Sequence, residues 1–127
     1  TTPRKKTIWM LSDDRQAVLY AATHVNHPSA IWTRQSDRHY LWLRDLWVSL
    51  LSEYTHRYGK THACGQLLPW LTNPPTRIAQ NGFTDPPPAM PLECHRATAV
   101  ESYQEYYRAY KSSFATWKHR DVPPWFA

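Results

Sequence analysis

Ser36-Asp37-Arg38-His39-Tyr40-Leu41-Trp42-Leu43-Arg44-Asp45-Leu46-Trp47-Val48-Ser49-Leu50-Leu51-Ser52-Glu53-Tyr54-Thr55-His56-Arg57-Tyr58-Gly59 is the stretch that decides the fold class. It contains no proline and no interior glycine. It opens on a Ser-Asp pair suited to capping free N–H groups, and it closes on a glycine able to take the left-handed turn that ends a helix. These features predict an α-helix over residues 36–58, about six turns long. Leu43, Leu46, Trp47, Leu50, Leu51, Tyr54 and Tyr58 recur at three- and four-residue spacing on one broad face. Leu41, Trp42 and Val48 make the other side partly apolar, so the helix is expected at the centre of the molecule.

Working toward the C-terminus, a short helix over residues 61–71 places Leu67, Leu68 and Leu71 inward before Asn73-Pro74-Pro75 breaks it. Seven of the eleven prolines fall between Pro69 and Pro91, and the run Asp85-Pro86-Pro87-Pro88-Ala89-Met90-Pro91 reads as a rigid strap across the helices. Thr98-Ala99-Val100-Glu101 matches a capping box and starts a helix expected over residues 98–118. Val100, Tyr103, Tyr107, Tyr110, Phe114 and Trp117 form one continuous stripe along it, which requires a buried partner surface. Glu101 and Glu105 sit early and Lys111, Lys118 and Arg120 late, as the helix dipole prefers, and Pro123-Pro124 prevents continuation.

Toward the N-terminus, Pro28 starts a turn of helix carrying Ile31 and Trp32, with Asn26 or His27 at its mouth. Ser12 or Asp13 caps a short helix to about Ala22, and Thr7-Ile8-Trp9-Met10-Leu11 reads as an extended segment after the basic Arg4-Lys5-Lys6. The expected architecture is a mainly α single domain in which two long helices, residues 36–58 and 98–118, pack together under shorter helices and a proline-rich irregular strap.

Totals narrow the function classes. A chain of 127 residues is one domain by length and is expected to bury roughly two-thirds of its unfolded surface. Its 42% apolar and 20% charged residues exclude disorder throughout, and no run is apolar enough to span a membrane. Cys64 and Cys94 permit one bridge at most, which favours buried thiols and a cytoplasmic setting. Three glycines leave no phosphate-cradling loop, and the His/Cys spacing around His24, His27, Cys94 and His95 matches no zinc set, so neither metal nor cofactor is expected.

The charge balance is +5, and the basic residues meet aromatic ones in Glu53-Tyr54-Thr55-His56-Arg57-Tyr58-Gly59-Lys60-Thr61-His62. Cations neutralise phosphates, rings stack on unpaired bases, and imidazoles exchange protons near neutral pH, so the mixture suits a nucleic acid. Cations near a helix end and tyrosines in a core stripe fit the same residues without any ligand. His24-Val25-Asn26-His27-Pro28 presents polar groups at a helix mouth, where free N–H groups attract anions; judged alone, the segment fits Asn26 capping and a proline turn somewhat better than catalysis.

These two strings, with Ser29-Ala30-Ile31-Trp32, Val100-Glu101-Ser102-Tyr103, Tyr106-Tyr107 and Pro124-Trp125-Phe126, resemble a family of small bacteriophage proteins over nearly the whole chain. Asn26-His27-Pro28 followed by Trp32 is similar, more remotely, to pyrimidine-dimer DNA glycosylases of the phage endonuclease V type. That resemblance implies a helical enzyme that kinks DNA, extrudes a nucleotide and attacks the sugar with an amine assisted by a carboxylate. Phage members of the first family carry a Cys-Asp-Lys-His-like motif ahead of this region. The 127 residues hold no counterpart, so the resemblance implies a missing N-terminal portion, and an N-terminal amine nucleophile is not carried over.

The expected function is nucleic-acid binding in phage DNA metabolism, with repair or base-excision chemistry as its enzymatic form. In that form His27, Lys60, His62 and Glu53 are the catalytic candidates, and His24, Asn26, Arg34, His56, Arg57 and Tyr58 contact DNA. The alternative is a non-catalytic module whose exposed tryptophans, Trp9, Trp42 and Trp125, bind a protein partner or a second copy. Convergence of His27, Lys60 and His62 in one cleft separates the first reading from the second.

Overall fold

Ser36, fully buried, is where three segments of the chain are tied together. The computed structural model describes residues 10–126, and among these the chain forms helices and irregular segments without a strand. Short α1 (Arg15–Val18) is followed by α2 (Pro28–Arg34), the long α3 (Asp37–Tyr58), a 3-10 turn (Ala63–Leu67) leading into α4 (Leu68–Leu71), and α5 (Ala99–Tyr106). Arg4-Lys5-Lys6, Ile8 and Trp9, on which the basic tail, most of the extended segment and one exposed tryptophan were expected, lie outside the described residues.

The long helix begins and ends where its caps predict. Ser36 Oγ accepts the Arg38 N–H at 3.2 Å, and Gly59 turns left-handed at φ 65° with its N–H on the Thr55 carbonyl. Ser36 Oγ also donates to the Asn81 carbonyl at 2.8 Å, Asp37 N–H donates to Ala79 at 2.9 Å, and Asn81 Nδ2 donates to Gln35 at 2.9 Å. One turn on, the His39 ring lies flat against Trp32 at 4.0 Å and 2% exposed. Its Nδ1 donates to the Trp32 carbonyl at 2.6 Å, and its Nε2 accepts the Thr84 N–H at 2.9 Å. Trp32 Nε1–H reaches the Thr84 carbonyl at 3.1 Å, and Phe83 stands edge-on to both rings. Every polar atom of this packed knot has a protein partner, which burial demands.

The proline-rich segment is the strap that the sequence predicts. After Thr84 it passes Asp85, whose carboxylate accepts the Ala99 N–H at 2.6 Å and so pins the start of α5. Farther along, Ala89 N–H donates to the Tyr103 hydroxyl at 3.4 Å, and His95 Nε2 donates to the Met90 carbonyl at 3.1 Å.

Three expectations about packing are corrected. The helix expected over 98–118 stops early: α5 ends at Tyr106, widens into a π turn over Tyr107–Lys111, and releases the chain. Thr98 Oγ1 caps the Glu101 N–H at 3.1 Å as predicted, but Arg108 is drawn to the Trp125 carbonyl at 2.6 Å and the following segment is captured by the far end of α3. Tertiary bonds override a run with no glycine or proline to stop it. Second, the stripe expected from Val100 to Trp117 is not a buried face. Val100 is 63% and Phe114 65% exposed, while Ala99 and Ser102 are the residues enclosed. Third, a cleft, not an interlocked seam, lies between α3 and α5, with Leu43, Leu46 and Leu50 on one wall and Val100 and Tyr103 of α5 with Tyr107 of the π turn on the other.

The core is correspondingly small: Trp32, Leu67, Cys94 and Ala99, with Ser36, His39 and Ser102. The surface of 10090 Å² far exceeds the roughly 7,000 Å² of a folded monomer of this mass. The expected helix to Ala22 likewise shrinks to α1, since the Asp13 carboxylate takes the Arg15 N–H and guanidinium and the backbone turns extended at Leu19.

Candidate functional site

The C-terminal end of α3 gathers what the sequence holds apart. Arg57 Nη1 donates to the Thr116 carbonyl at 2.9 Å, and its guanidinium lies 5.8 Å from the centre of the Trp117 ring. His56 Nε2 donates to the His119 carbonyl at 2.9 Å. Arg120 Nε sits between both oxygens of Glu53, at 2.9 and 2.8 Å, and the same carboxylate takes Arg57 Nε at 2.8 Å. The Lys118 ammonium lies 4.9 Å from the centre of the Tyr58 ring. His119 adopts φ 58°, a left-handed backbone that a non-glycine residue holds at a cost of about 1 kcal/mol.

Four full cations, Arg57, Lys60, Lys118 and Arg120, and three imidazoles, His56, His62 and His119, therefore share one end of the molecule with two carboxylates, Glu53 and Asp121. Aromatic rings run through the same place. Tyr58 packs on Tyr54 at 5.0 Å, and Tyr54 meets His62 edge-on at 4.9 Å. Beside this ladder opens a cleft of about 740 Å³ lined by Trp47, Tyr54, Trp117 and Trp125 together with Glu53, Arg57, His62 and Cys64.

The electrostatics decide what these groups can do. The hydrogen bond from Arg57, reinforced by Arg120, holds the Glu53 carboxyl below the usual carboxylate range, so it stays ionised and paired. A carboxylate so engaged is a poor proton shuttle and a good anchor for the returning chain. Cys64 Sγ receives the Trp47 indole N–H at 3.4 Å, while His62 Nδ1 accepts the Cys64 backbone N–H at 3.1 Å. The thiol and the imidazole are neighbours without a proton-transfer bond, so they form no nucleophile and base pair.

Neither protein-family models, nor curated proteins, nor solved structures match this chain. The site therefore rests on its own geometry.

Of the sequence candidates, Glu53, Arg57 and His62 line the one cleft, with His56, Tyr58 and Lys60 on the same end of α3. The second string stands elsewhere. His27 caps α2, its Nδ1 accepting the Ser29 N–H at 3.0 Å. Arg34 Nη1 donates to the Val25 carbonyl at 2.8 Å, and His24, at φ 53°, bonds through Nδ1 with Thr23 Oγ1 at 2.9 Å. Asn26 is exposed. His27 and Lys60 line neither the cleft beside the C-terminal end of α3 nor the one between α3 and α5, so the expected convergence of His27, Lys60 and His62 does not form in either. His27 and His62 instead do the same local job, capping a helix or turn with a ring nitrogen.

Sequence reasoning missed Trp117, Lys118, His119 and Arg120 as partners of this end. Their signal was present: an aromatic residue followed by three basic ones repeats the composition of 54–60. Among the described residues, no three histidine, cysteine or acidic side chains group as a metal set, and no helix is long and apolar enough to cross a membrane.

Proposed function

We propose that the C-terminal end of α3 binds single-stranded nucleic acid. The observation that carries this reading is the docking of Trp117-Lys118-His119-Arg120 onto His56, Arg57 and Tyr58, which turns two separate basic strings into one surface. Lys60 and Lys118 supply phosphate neutralisation, half-exposed Tyr58 supplies a face for an unpaired base, and Trp117 and Tyr54 extend the stacking surface into the cleft. Unpaired bases suit it better than a duplex, because stacking needs exposed π faces. The resemblance of 24–32 and 53–62 to small bacteriophage proteins, and the remoter one of Asn26-His27-Pro28 with Trp32 to phage pyrimidine-dimer glycosylases, extend the proposal to DNA metabolism in an infected cell. Binding is its content; the paired state of Glu53 and the separation of His27 from the cleft lend no support to a glycosylase step.

The test is anisotropy of a labelled single-stranded oligonucleotide over a salt series. Affinity falls as salt rises, with a logarithmic slope of about 0.7 for each phosphate neutralised, and Lys60→Ala with Lys118→Ala lowers that slope. Absence of binding at low salt, or binding indifferent to salt, overturns the reading.

A further inference from the structure

The chain has seven histidines, and His39 alone among them is buried. Its two ring nitrogens hold fixed and opposite roles. Nδ1 faces the Trp32 carbonyl at 2.6 Å, which can only accept, so Nδ1 carries the proton of the ring. Nε2 faces the Thr84 amide at 2.9 Å, which can only donate, so Nε2 carries none. The site is therefore built for the neutral ring, because an Nε2–H would point straight at the Thr84 N–H. Thr84 Oγ1, 3.2 Å from Nε2, does not relieve the conflict: it also meets the Trp32 indole N–H at 3.3 Å, and the amide would still lose its acceptor. We propose that this pairing is an acid-sensitive latch, in which proton uptake at His39 releases the strap at Thr84 and opens the groove between α3 and α5.

What the latch holds is a surface segment, since Phe83, Thr84 and Asp85 are exposed on their outer side while His39 grips them from beneath. The other ties to this segment are Asp37 N–H to Ala79, Ser36 Oγ to Asn81, Trp32 Nε1–H to Thr84 and Asp85 to the Ala99 N–H. None of these depends on a group that takes up a proton in water between pH 5 and 7. Phe83 and Asp85, on either side of Thr84, both line the groove, so lifting the segment removes part of its wall. The ring itself faces Trp32 and Phe83, which do not titrate. Charged and titratable groups of the surrounding elements are engaged elsewhere or exposed: on α2, Arg34 bonds to the Val25 carbonyl; on the strap, Asp85 holds Ala99; on α3, Asp37 accepts the Arg38 N–H, Arg38 is exposed and Tyr40 bonds to the Leu71 carbonyl. His27 and His62 also accept backbone N–H groups, but both are exposed, and water replaces the ring there. The inference is independent of the nucleic-acid reading.

Once the strap lifts, the ring meets water and takes up a proton as an imidazole in water does, near pH 6.5. Closure is thus complete above that range and is lost as the pH falls through it. Amide hydrogen exchange followed by NMR, expressed at each pH relative to the rate of an unstructured chain, tests the latch. Thr84 protection falls about 25-fold between pH 7 and pH 5, while the helical circular dichroism stays constant. In His39→Gln, whose amide oxygen accepts the Thr84 N–H in place of Nε2 and takes up no proton, Thr84 protection is the same at both pH values. Wild-type protection that does not change over this range overturns the inference without recourse to a variant, as does a ring whose nitrogen signals put the proton on Nε2. A His39→Gln variant that keeps the pH dependence overturns it by assigning the response to another group. A parallel loss of helical signal in the wild type overturns it too, because the event is then unfolding of the whole chain.

Discussion

At the start of α3, Ser36 and His39 are enclosed and their polar atoms are matched by Trp32, Asn81 and Thr84; at its finish, Glu53 and Arg57 are partly open to solvent and grip a returning chain by its carbonyls and by Arg120. One helix is thus anchored by a dry knot at one end and by a wet clamp at the other. The knot draws its strength from desolvated bonds whose loss leaves orphans, whereas the clamp draws on charges that water and salt compete for. The first end is held by bonds that water does not reach, and the second by bonds that salt can loosen.

The strongest attempt to break this contrast is Trp32→Ala. Loss of a 6%-exposed indole that stacks on His39 is expected to cost about 3–5 kcal/mol, read as the urea midpoint. His39→Leu keeps the volume but strands the Trp32 carbonyl and the Thr84 N–H, for an expected loss of about 2–3 kcal/mol in the same assay. If either change is as mild as a surface substitution, the knot is not what holds the fold.

At the clamp, Arg57→Ala is expected to leave the urea midpoint nearly unmoved while freeing residues 116–120, seen as a red shift of Trp117 emission. The acid response sharpens the distinction. Because Glu53 titrates lower in the folded chain than in the unfolded one, its contribution is complete above the unfolded carboxyl range near pH 4.3 and is lost as the pH falls toward the folded value. The gap in melting temperature between wild type and Glu53→Gln is therefore constant above about pH 5 and closes below pH 4. The smallest effect is chemical: a small alkylating reagent labels Cys64 in the open cleft roughly tenfold faster than Cys94, whose burial pushes its thiol up.

Much of this was legible beforehand wherever the information is local. Ser36 and Gly59 bracket α3, Pro28 opens α2, and the prolines after Asp85 form the strap, because caps, φ restriction and chain stiffness act within a few residues. Glu53, Arg57 and His62 were grouped for the same reason. What stayed hidden is non-local. Periodicity shows that Val100 and Phe114 share a stripe with Tyr107, not that a wall faces them. Nor does anything near His39, set among arginine, tyrosine and leucine, announce that a glycine-bearing loop more than forty residues on will offer it an amide. The short α5 has the same origin: a regular pattern yields to Arg57 and Arg108, each seeking a distant carbonyl.

The scantness of the enclosed core has a calorimetric consequence. A chain that hides so little when folded uncovers little more when it opens, so the isolated monomer should show a low denaturant slope and a small heat-capacity step for its length. Its stability curve is accordingly flat, and anything that covers the leucine rows would steepen it by enlarging the surface that unfolding must wet.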